Sequence, residues 1–452
     1  MIHRSRSAAV HAVAALLLAG GLAGCASPTT ASAPTNLGPY VLFTPDNKDV
    51  TYLMDKDGQK VHEWHGQYGT GLSSYLLASG DLLRTASPPL TSFAAAPGAN
   101  GGRVELLDWD SRVLWSFDYA TGEHQQHHDV FRMPNGHVLM IAWEKRTGAE
   151  LRAAGRPDSL VPSADQIWPD TIIEVDPTTN AIVWEWKTWD HLVPPGADPA
   201  DHPGLIDVNF AAANGTDWTH ANGVSYNAGL DQVVLSVRNF SEIWMIDHST
   251  TTAEAASHAG GRRGHGGDLI YRWGNPEAYG FDSSPRTLFG QHNPQWIEAG
   301  LSGAGHMLIF NNGDAVARPW STVVEIELPL QPDGSYAFDP QTGYGPAAPV
   351  WQYTADPPTS FFARIVSSAQ RLANGNTLVC DGPAGHFFEV TPAGQTVWTY
   401  TVTDTAGGAN HLNFRAAQYD GGFAGLTGRT LTPQGIIRVP APTAGEVHIT
   451  GG

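Results

Sequence analysis

The chain has 452 residues, a formal net charge of −19 and only 15% charged side chains, with 50 glycines and 15 tryptophans. This composition is typical of a globular protein rich in turns and aromatic side chains. The acidity argues against a nucleic acid or an anionic membrane surface as a partner. It would also repel an anionic substrate at long range, so any anion site must supply its own cations and hydrogen-bond donors.

The N-terminus predicts an exported, lipid-anchored bacterial protein. Arg4 and Arg6 precede an apolar run from Ala8 to Leu22 that is short for a membrane span, and the run closes with Leu22-Ala23-Gly24-Cys25. This ending is the pattern of a lipobox, whose cysteine becomes the lipidated first residue of the mature protein. We therefore expect residues 1–24 to be a lipoprotein signal peptide and residues 25–36 a flexible tether after lipidated Cys25. The expected location is the periplasmic side of the cell envelope, on the outer membrane if there are two, with membrane contact only through the lipid.

Residues 37–452 are predicted to form a single domain of imperfect repeats. The two most regular copies begin at Gln126 and Ser367, and looser copies begin at Ser73, His220 and His292. Each copy is a meander of short alternating strands separated by turns such as Asn-Gly and Asp-Gly.

These repeats predict an all-β fold, a six-bladed β-propeller of four-stranded antiparallel blades. A four-stranded meander cannot bury both of its faces alone, so copies at this period stack radially around an axis. The segment from Tyr40 to Trp64 holds further strands, and the segment from Leu412 to Val439 supplies their complement. The closing blade is therefore expected to be shared by the N- and C-terminal segments. Tryptophans near the repeat ends are expected to pack between blades: Trp115, Trp184, Trp351 and Trp398.

Histidines recur at one position of the repeat. The first strand of a propeller blade is innermost, so residues at its start line one mouth of the central channel. His128, His220 and His292 hold this position in three repeats, and His411 holds it at the start of the closing blade. A single imidazole there would most simply bond to a backbone carbonyl. Several at equivalent positions converge on one axis and predict a ligand site at the channel mouth.

Four sequence runs carry a resemblance to a known family. They are Asp217-Trp218-Thr219-His220-Ala221-Asn222, Leu235 to Trp244, Gly290-Gln291-His292, and Phe310-Asn311-Asn312-Gly313-Asp314. In this order they resemble the bacterial arylsulfate sulfotransferases, the arylsulfotransferase family, over roughly residues 170–400. The resemblance implies a six-bladed propeller that moves a sulfuryl group from a phenolic sulfate ester to a phenol through a sulfohistidine. It implies small phenolic or aryl sulfate substrates, no nucleotide donor and no cofactor.

The resemblance also implies roles for individual residues. His220 matches the family's histidine after the Asp-Trp pair, His292 matches the one after Gln, and Arg318 is the nearest match to the sulfate-binding arginine. The family's nucleophilic histidine is expected in the stretch 354–366, which contains no histidine here. This stretch therefore supplies no nucleophilic histidine, although the resemblance implies the same fold and anion pocket.

The chemistry of sulfuryl transfer requires donors for the charged oxygens, a general acid and an oriented nucleophile. We predict that His220 and His292 contact the sulfuryl oxygens or the leaving oxygen, and that His128 is a further base or nucleophile. Arg238 or Arg318 is the predicted fixed cation. The remaining predicted substrate-binding residues are Asn222, Asn312 and His411.

Two other classes of function stay open at this point. One is a non-catalytic envelope propeller that acts as a binding module or scaffold. The other is a metal-dependent ester hydrolase, because three imidazoles with an open position can hold zinc and activate water. No metal site is predicted, since the channel histidines lack closely spaced carboxylates of a metal motif. Ring nitrogens within about 4 Å of a common point would favour a metal, and a wider ring with an arginine inside it would favour an anion pocket.

Overall fold

The computed structural model describes residues 39–89, 101–210, 215–281, 285–405 and 412–440. The chain divides into two units, Met1–Thr35 and Asn36–Gly452, and every described residue lies in the second. Cys25 and His411 lie outside the described residues, so the lipidation site and the fourth channel histidine stay predictions. Within the described ranges, no helix has the length and apolar character needed to cross a membrane.

Strands account for nearly all of the regular structure. Those of the first half of the chain are β1 (Tyr40–Pro45), β2 (Val50–Met54), β3 (Lys60–His65), β4 (Gly69–Leu76), β5 (Leu82–Ser87), β6 (Arg103–Leu107), β7 (Val113–Asp118), β8 (His124–Arg132), β9 (Val138–Glu144), β10 (Arg146–Thr147), β11 (Gln166–Ile167), β12 (Asp170–Asp176) and β13 (Ala181–Lys187). Those of the second half are β14 (Ala221–Asn227), β15 (Gln232–Val237), β16 (Glu242–Asp247), β17 (Tyr271–Trp273), β18 (His292–Trp296), β19 (Met307–Asn311), β20 (Thr322–Ile326), β21 (Phe338–Asp339), β22 (Gly343–Tyr344), β23 (Trp351–Thr354), β24 (Ser368–Arg371), β25 (Thr377–Asp381), β26 (His386–Val390), β27 (Thr396–Thr401) and β28 (Asn413–Tyr419).

Helices are short and lie in loops between these strands. The two α-helices are α1 (Gly148–Ala153) and α2 (Thr252–Ala255), and each begins with a capping box that satisfies its first backbone N–H groups. Single turns of 3-10 helix cover Asp158–Leu160, Thr188–His191, Pro199–Asp201, Pro276–Tyr279, Pro358–Ser360 and Ala424–Leu426.

Six four-stranded antiparallel sheets form the blades of a β-propeller, which confirms the predicted fold class. Blade 1 is β4-β5-β6-β7, blade 2 is β8-β9-β12-β13, blade 3 is β14-β15-β16-β17, blade 4 is β18-β19-β20-β23 and blade 5 is β24-β25-β26-β27. The closing blade is β28-β1-β2-β3, so the C-terminal strand β28 pairs antiparallel with β1 from the N-terminal segment. The predicted sharing of this blade is therefore confirmed. Two ribbons, β10-β11 and β21-β22, extend from blades 2 and 4.

Burial along each blade explains the sequence pattern. Middle strands such as β9 and β15 are buried on both faces, because each blade is covered by a neighbour on either side. Outermost strands such as β7 and β27 are exposed or half-buried along their whole length. Continuous apolar runs therefore belong to the middle of a blade and alternating runs to its rim.

Tryptophans in the outermost strands link successive blades, as predicted. The indole N–H of Trp115 donates to Asn180 of the next blade, and that of Trp184 donates to Thr250. Trp351 and Trp398 donate to backbone carbonyls of the blades that follow them. Trp273 makes the equivalent bond from blade 3 to the carbonyl of Pro346. The repeated tryptophan thus combines apolar area with one directed bond between neighbouring blades.

One buried carboxylate joins the inner strands of several blades. Asp129 of blade 2 is fully buried and accepts hydrogen bonds from Ser73 and Tyr75 of blade 1, both at 2.6 Å. It also accepts from the backbone N–H of Val224 in blade 3 and pairs with Arg415 of the closing blade at 2.8 Å. Four of the six inner strands therefore meet at this side chain.

A histidine between two carboxylates joins blade 2 to blade 3. His248 contacts Glu174 through Nε2 at 2.8 Å and Asp231 through Nδ1 at 3.0 Å. Burial by itself lowers the pKa of His248, but the hydrogen bonds and charges of Glu174 and Asp231 outweigh it and raise the pKa above its usual value. The pKa values of both carboxyls are lowered, because their bonds to His248 outweigh the opposing effect of burial.

We expect the His248→Gln variant to lose about 2 kcal/mol of unfolding free energy at about pH 5.5 and clearly less at about pH 8.5. The contribution of a histidine with a raised folded-state pKa is complete below its unfolded pKa of about 6.5 and is lost as pH rises through the folded value. The carboxyls contribute to stability above their unfolded pKa values of about 4. The cluster therefore stabilises the fold most between about pH 4 and about pH 6.5. Urea unfolding at the two pH values measures the difference. An equal loss at both would contradict the assignment, and His65→Gln, an exposed position, is the control.

Candidate active site

The inner strands are irregular where they reach the channel mouth. In blades 1 to 4 the register of the inner strand shifts by a β-bulge or similar irregularity. His128 lies within the shift of β8, and His220 lies directly before β14, whose register shifts between Ala221 and Gly223. Their φ angles are 52° and 51°, in the left-handed region that non-glycine residues rarely adopt. A bulge leaves the extra residue outside the ladder and redirects its side chain. Because left-handed backbone costs energy at a residue with a Cβ, these two positions mark a place where the fold sustains local strain.

The three predicted channel histidines come together. The rings of His128 and His220 pack edge to face with centroids 4.8 Å apart, and Phe414 of the closing blade contacts both His128 and His292. Burial first, and then the neighbouring charges of His220, His127, His292 and Arg238, lower the pKa of His128 well below its usual range. The structure thus brings the residues into one electrostatically coupled cluster, as their positions in the repeat predicted.

His128 is held by a buried relay of hydrogen bonds. Nε2 of His127 lies 2.8 Å from a carboxylate oxygen of Asp170, and Nδ1 of His127 lies 2.8 Å from Nδ1 of His128. A carboxylate only accepts, so the N–H of His127 is on Nε2 and its Nδ1 accepts from His128. His128 then carries its proton on Nδ1 and its lone pair on Nε2. Asp170 is itself fixed by Thr219 and by the backbone N–H of Ala221.

His220 is oriented by a different carboxylate. Its Nδ1 bonds to Asp217, three residues earlier, and the other oxygen of Asp217 accepts from the indole N–H of Trp143 at 3.0 Å. Burial raises the pKa of Asp217, but the charge and hydrogen bond of His220 outweigh it, and the net pKa is below the usual value. The side chain of His220 remains 17% exposed. This dyad therefore presents Nε2 of His220 to the channel with an ionised carboxylate behind it.

His292 is fixed by an amide. Its Nδ1 lies 2.7 Å from Oδ1 of Asn312, whose NH₂ group donates to the carbonyls of Ala363 and Val366. These two bonds set the orientation of the amide, so Oδ1 accepts from Nδ1–H of His292. Burial, followed by the charges of Arg238 and His220, lowers the pKa of His292 to about 3. The neutral ring therefore offers a lone pair on Nε2, and Asn312 acts as a positioning residue.

The two predicted arginines occupy different places. Arg238 is half-buried beside the cluster, where its charge acts on His128 and His292. Burial and the nearby charge of Arg364 lower the pKa of Arg238, against the opposing effect of Asp217 and Asp314. Arg318 instead donates to the carbonyl of Trp320 and to Thr322. Arg238 is thus the predicted cation that the structure brings to the histidines, and exposed Arg364 is a second one close to it.

Asn222 links two blades. Its NH₂ group donates to the carbonyl of Gln291 at 2.9 Å, and among the described residues its Oδ1 has no hydrogen-bond partner. The positioning residues His127 and Asp170 and the second cation Arg364 were not predicted. Asp217 could have been found from its place three residues before His220 in the quoted motif.

The distances between possible ligand atoms show where a metal ion could be held. Within the described ranges, the group of ligand atoms that all lie within 4.8 Å of one another belongs to His191, His258 and Asp268, and not to the channel histidines. The channel cluster is instead a wider ring with Arg238 beside it. A cavity of about 790 Å³ lies beyond Asp129, at the other ends of the inner strands, and includes none of the three channel histidines.

The chain is similar in sequence to a known enzyme. The chain is 21% identical over 402 residues to arylsulfate sulfotransferase AssT of Escherichia coli O6:H1, a match that covers 81% of this chain and 61% of the relative. The chain thus spans less than two thirds of the length of that relative.

Solved structures with a similar chain path are more distant. A Bacteroides caccae protein of unknown function has a TM-score of 0.44 at 13% identity, with 80% of this chain and 93% of that one covered. A putative 6-phosphogluconolactonase of Bacteroides fragilis has a TM-score of 0.40 at 10% identity, with 86% and 100% covered.

A family profile also matches the chain. The profile described as arylsulfotransferase (ASST) matches residues 111–415, which is more than half of the chain and includes the inner strands of blades 2 to 5. His128, His220, His292 and Arg238 all lie inside the matched region. This protein therefore belongs to the arylsulfotransferase family.

Proposed function

We propose that this protein transfers a sulfuryl group from a phenolic sulfate ester to a phenolic acceptor at the mouth of the central channel. The observation that carries the proposal is the convergence of His128, His220, His292 and Arg238 within the region that the family profile matches. The overall acidity of the chain makes a local cation necessary for an anionic ester, and Arg238 with Arg364 supplies it.

His128 is the proposed nucleophile, in place of the histidine that the family's pattern puts elsewhere. A nucleophilic imidazole must be neutral and must aim a lone pair at the substrate. The relay from Asp170 through His127 supports this tautomer, and the lowered pKa of His128 keeps the ring neutral. When Nε2 of His128 bonds to sulfur, the ring becomes positive. Nδ1 of His127, which accepts the hydrogen bond from Nδ1 of His128, then stabilises that charge.

The reaction then proceeds in two displacements. In the first, Nε2 of His128 attacks sulfur, an N–S bond forms as the S–O bond to the phenol breaks, and protonated His220 gives its Nε2 proton to the departing phenolate. In the second, neutral His220 removes the proton of the acceptor phenol, whose oxygen attacks sulfur as the N–S bond breaks. Asp217 stabilises the imidazolium form of His220 in both steps.

His292 is proposed to accept a hydrogen bond from the substrate, and not to donate one to the sulfuryl oxygens. With its proton held by Asn312, it presents an acceptor to the channel. The neutral imidazole therefore suits the hydroxyl of the acceptor phenol, and the edge of Phe414 beside it suits the aryl ring. This assignment replaces the predicted contact of His292 with the sulfuryl oxygens.

The test is sulfuryl transfer from 4-nitrophenyl sulfate to phenol by the full chain, followed by nitrophenolate release. We expect release that depends on the acceptor, and we expect His220→Ala to lower kcat/KM by about 10²-fold to 10⁴-fold, the usual contribution of a general acid and base. Asp217→Asn should lower the rate and shift its pH profile, because it keeps the size of the side chain but removes the charge behind the imidazole. His65→Ala, an exposed histidine of the closing blade, is the matched control.

Other outcomes would contradict the proposal. No release across a panel of aryl sulfates would favour a binding module. Release that does not depend on the acceptor and is abolished by a chelator would favour a metal-dependent hydrolase.

A further inference from the structure

A second cluster of histidines lies at the rim of the propeller, between blades 2 and 3. His191 ends the 3-10 turn that follows the outermost strand of blade 2, and His258 and Asp268 belong to the glycine-rich loop between α2 and β17 of blade 3. Nδ1 of His191 and Nδ1 of His258 lie 2.8 Å and 2.7 Å from the same carboxylate oxygen of Asp268. Three ligand atoms from two parts of the chain thus lie within 4.8 Å of one another.

The surroundings of His191 prepare one ring nitrogen for a ligand. Its Nε2 lies 2.8 Å from the backbone carbonyl of Ala255, so Nε2 carries a proton and donates it. Without a metal, Nδ1 also donates a proton to the carboxylate of Asp268, and a metal ion that binds Nδ1 releases this proton to solvent. A histidine bound to a metal characteristically donates its second ring N–H to a carbonyl or carboxylate, which fixes the ring and leaves the other nitrogen as the ligand. The ring of His191 is also buried and stacks parallel to Trp186 at 5.5 Å.

The loop that carries the other two ligands is closely packed against this ring. The indole N–H of Trp186 donates to the carbonyl of Gly267 at 2.7 Å. A Cβ at Gly267 would lie 2.6 Å from Nε2 of His191 and 2.0 Å from the carbonyl of Ala255, closer than real contacts allow. Glycine at this position therefore permits the bond between His191 and Ala255 that sets the orientation of the ring.

We propose that His191, His258 and Asp268 form a binding site for a divalent transition-metal ion, with Zn²⁺ as the probe, that links blade 2 to blade 3. Two imidazoles and one carboxylate match the ligand preference of such ions, and they leave one net positive charge on the complex. Zinc bonds of about 2.1 Å in a tetrahedral arrangement separate ligand atoms by roughly 3.4 Å, so the present contacts must lengthen by a little over half an ångström. The side chain of His258 is 61% exposed and is free to make that adjustment.

The site opens to solvent on one side, which leaves room for a fourth ligand. Asp268 lines a surface groove of about 500 Å³ together with His202 and His265. Water from this groove completes the coordination in the proposed site. Because the ligands belong to the rim and not to the inner strands, the metal stabilises the packing of two blades and takes no part in the reaction at the channel.

The experiment is a zinc titration of the full chain after treatment with a chelator, in competition with a fluorescent zinc indicator. We expect one equivalent of zinc to bind, a d–d absorption spectrum typical of tetrahedral nitrogen and oxygen ligands with Co²⁺, and a higher unfolding temperature in the presence of zinc. His258→Ala and Asp268→Asn should each weaken zinc binding by about 100-fold or more. His258 is exposed, so its variant tests the site without disturbing the core.

His306→Ala is the matched control, because His306 pairs with Glu325 at 2.7 Å in the same way but has no second imidazole beside it. It should leave zinc binding unchanged. The proposal is wrong if the full chain binds no zinc above the level of the doubly substituted His258→Ala and Asp268→Asn chain. It is also wrong if zinc binding is equal in all variants, which would leave a metal-free cluster of hydrogen bonds between blades.

Discussion

Replacement of His128 by alanine should abolish sulfuryl transfer, with a loss of about 10⁴-fold to 10⁶-fold in kcat/KM. The loss is large because a nucleophile works as a unit with the groups that orient it, and here those groups are His127 and Asp170. His124→Ala, in the same strand but outside the channel cluster, is the matched control. It should retain the activity of the unmodified chain.

The same proposal predicts where the covalent intermediate forms. Incubation with a sulfate donor in the absence of acceptor should add one SO₃ group to the protein, and phenol should remove it. Proteolysis and mass spectrometry should then place the modification on the peptide that contains His128. A modification on the peptide with His220 would make His220 the nucleophile. Transfer with full activity in His128→Ala would contradict the role of His128 altogether.

Replacement of Asp129 by alanine should lower the unfolding free energy by about 3–5 kcal/mol. The variant leaves the guanidinium of Arg415 buried without its carboxylate, and it removes the acceptor shared by Ser73, Tyr75 and the backbone of Val224. Because these partners lie on three other inner strands, β4, β14 and β28, the loss affects the packing of the blades around the channel. Urea unfolding followed by tryptophan fluorescence measures the change.

A double variant separates the ion pair from the other bonds. Asp129→Asn together with Arg415→Met should cost less than Asp129→Ala alone, because neither variant side chain leaves an unpaired charge in the interior. A loss below about 1 kcal/mol in Asp129→Ala would show that the inner strands do not depend on this carboxylate.

The two largest effects therefore concern neighbouring residues with opposite roles. His128 is the proposed nucleophile, whereas the carboxylate of Asp129 joins the inner strands of neighbouring blades. The bulge at this point of β8, with φ of 52° at His128, separates the two side chains. A shift of one residue in the register of β8 would exchange their positions and remove both functions.

The cluster of His191, His258 and Asp268 at the rim could not be predicted from the sequence. His258 lies in a glycine-rich run of the chain, and His191 is 77 residues from Asp268 in sequence. Neither residue has a neighbour in sequence that indicates a metal. Only the packing of blade 2 against blade 3 brings the three ligand atoms together.

The sequence by itself determined the architecture of this protein. The repeat of short apolar strands and turns predicted six blades, the shared closing blade and the inner position of His128, His220 and His292, because the period of a strand and the stacking of blades are local properties. The tertiary structure alone decided which partners those histidines have. Asp170 reaches His127 across 43 residues, Arg415 reaches Asp129 across 286, and Arg238 rather than Arg318 lies beside the imidazoles. Side-chain partners across blades depend on the register and tilt of each blade, which no single repeat encodes.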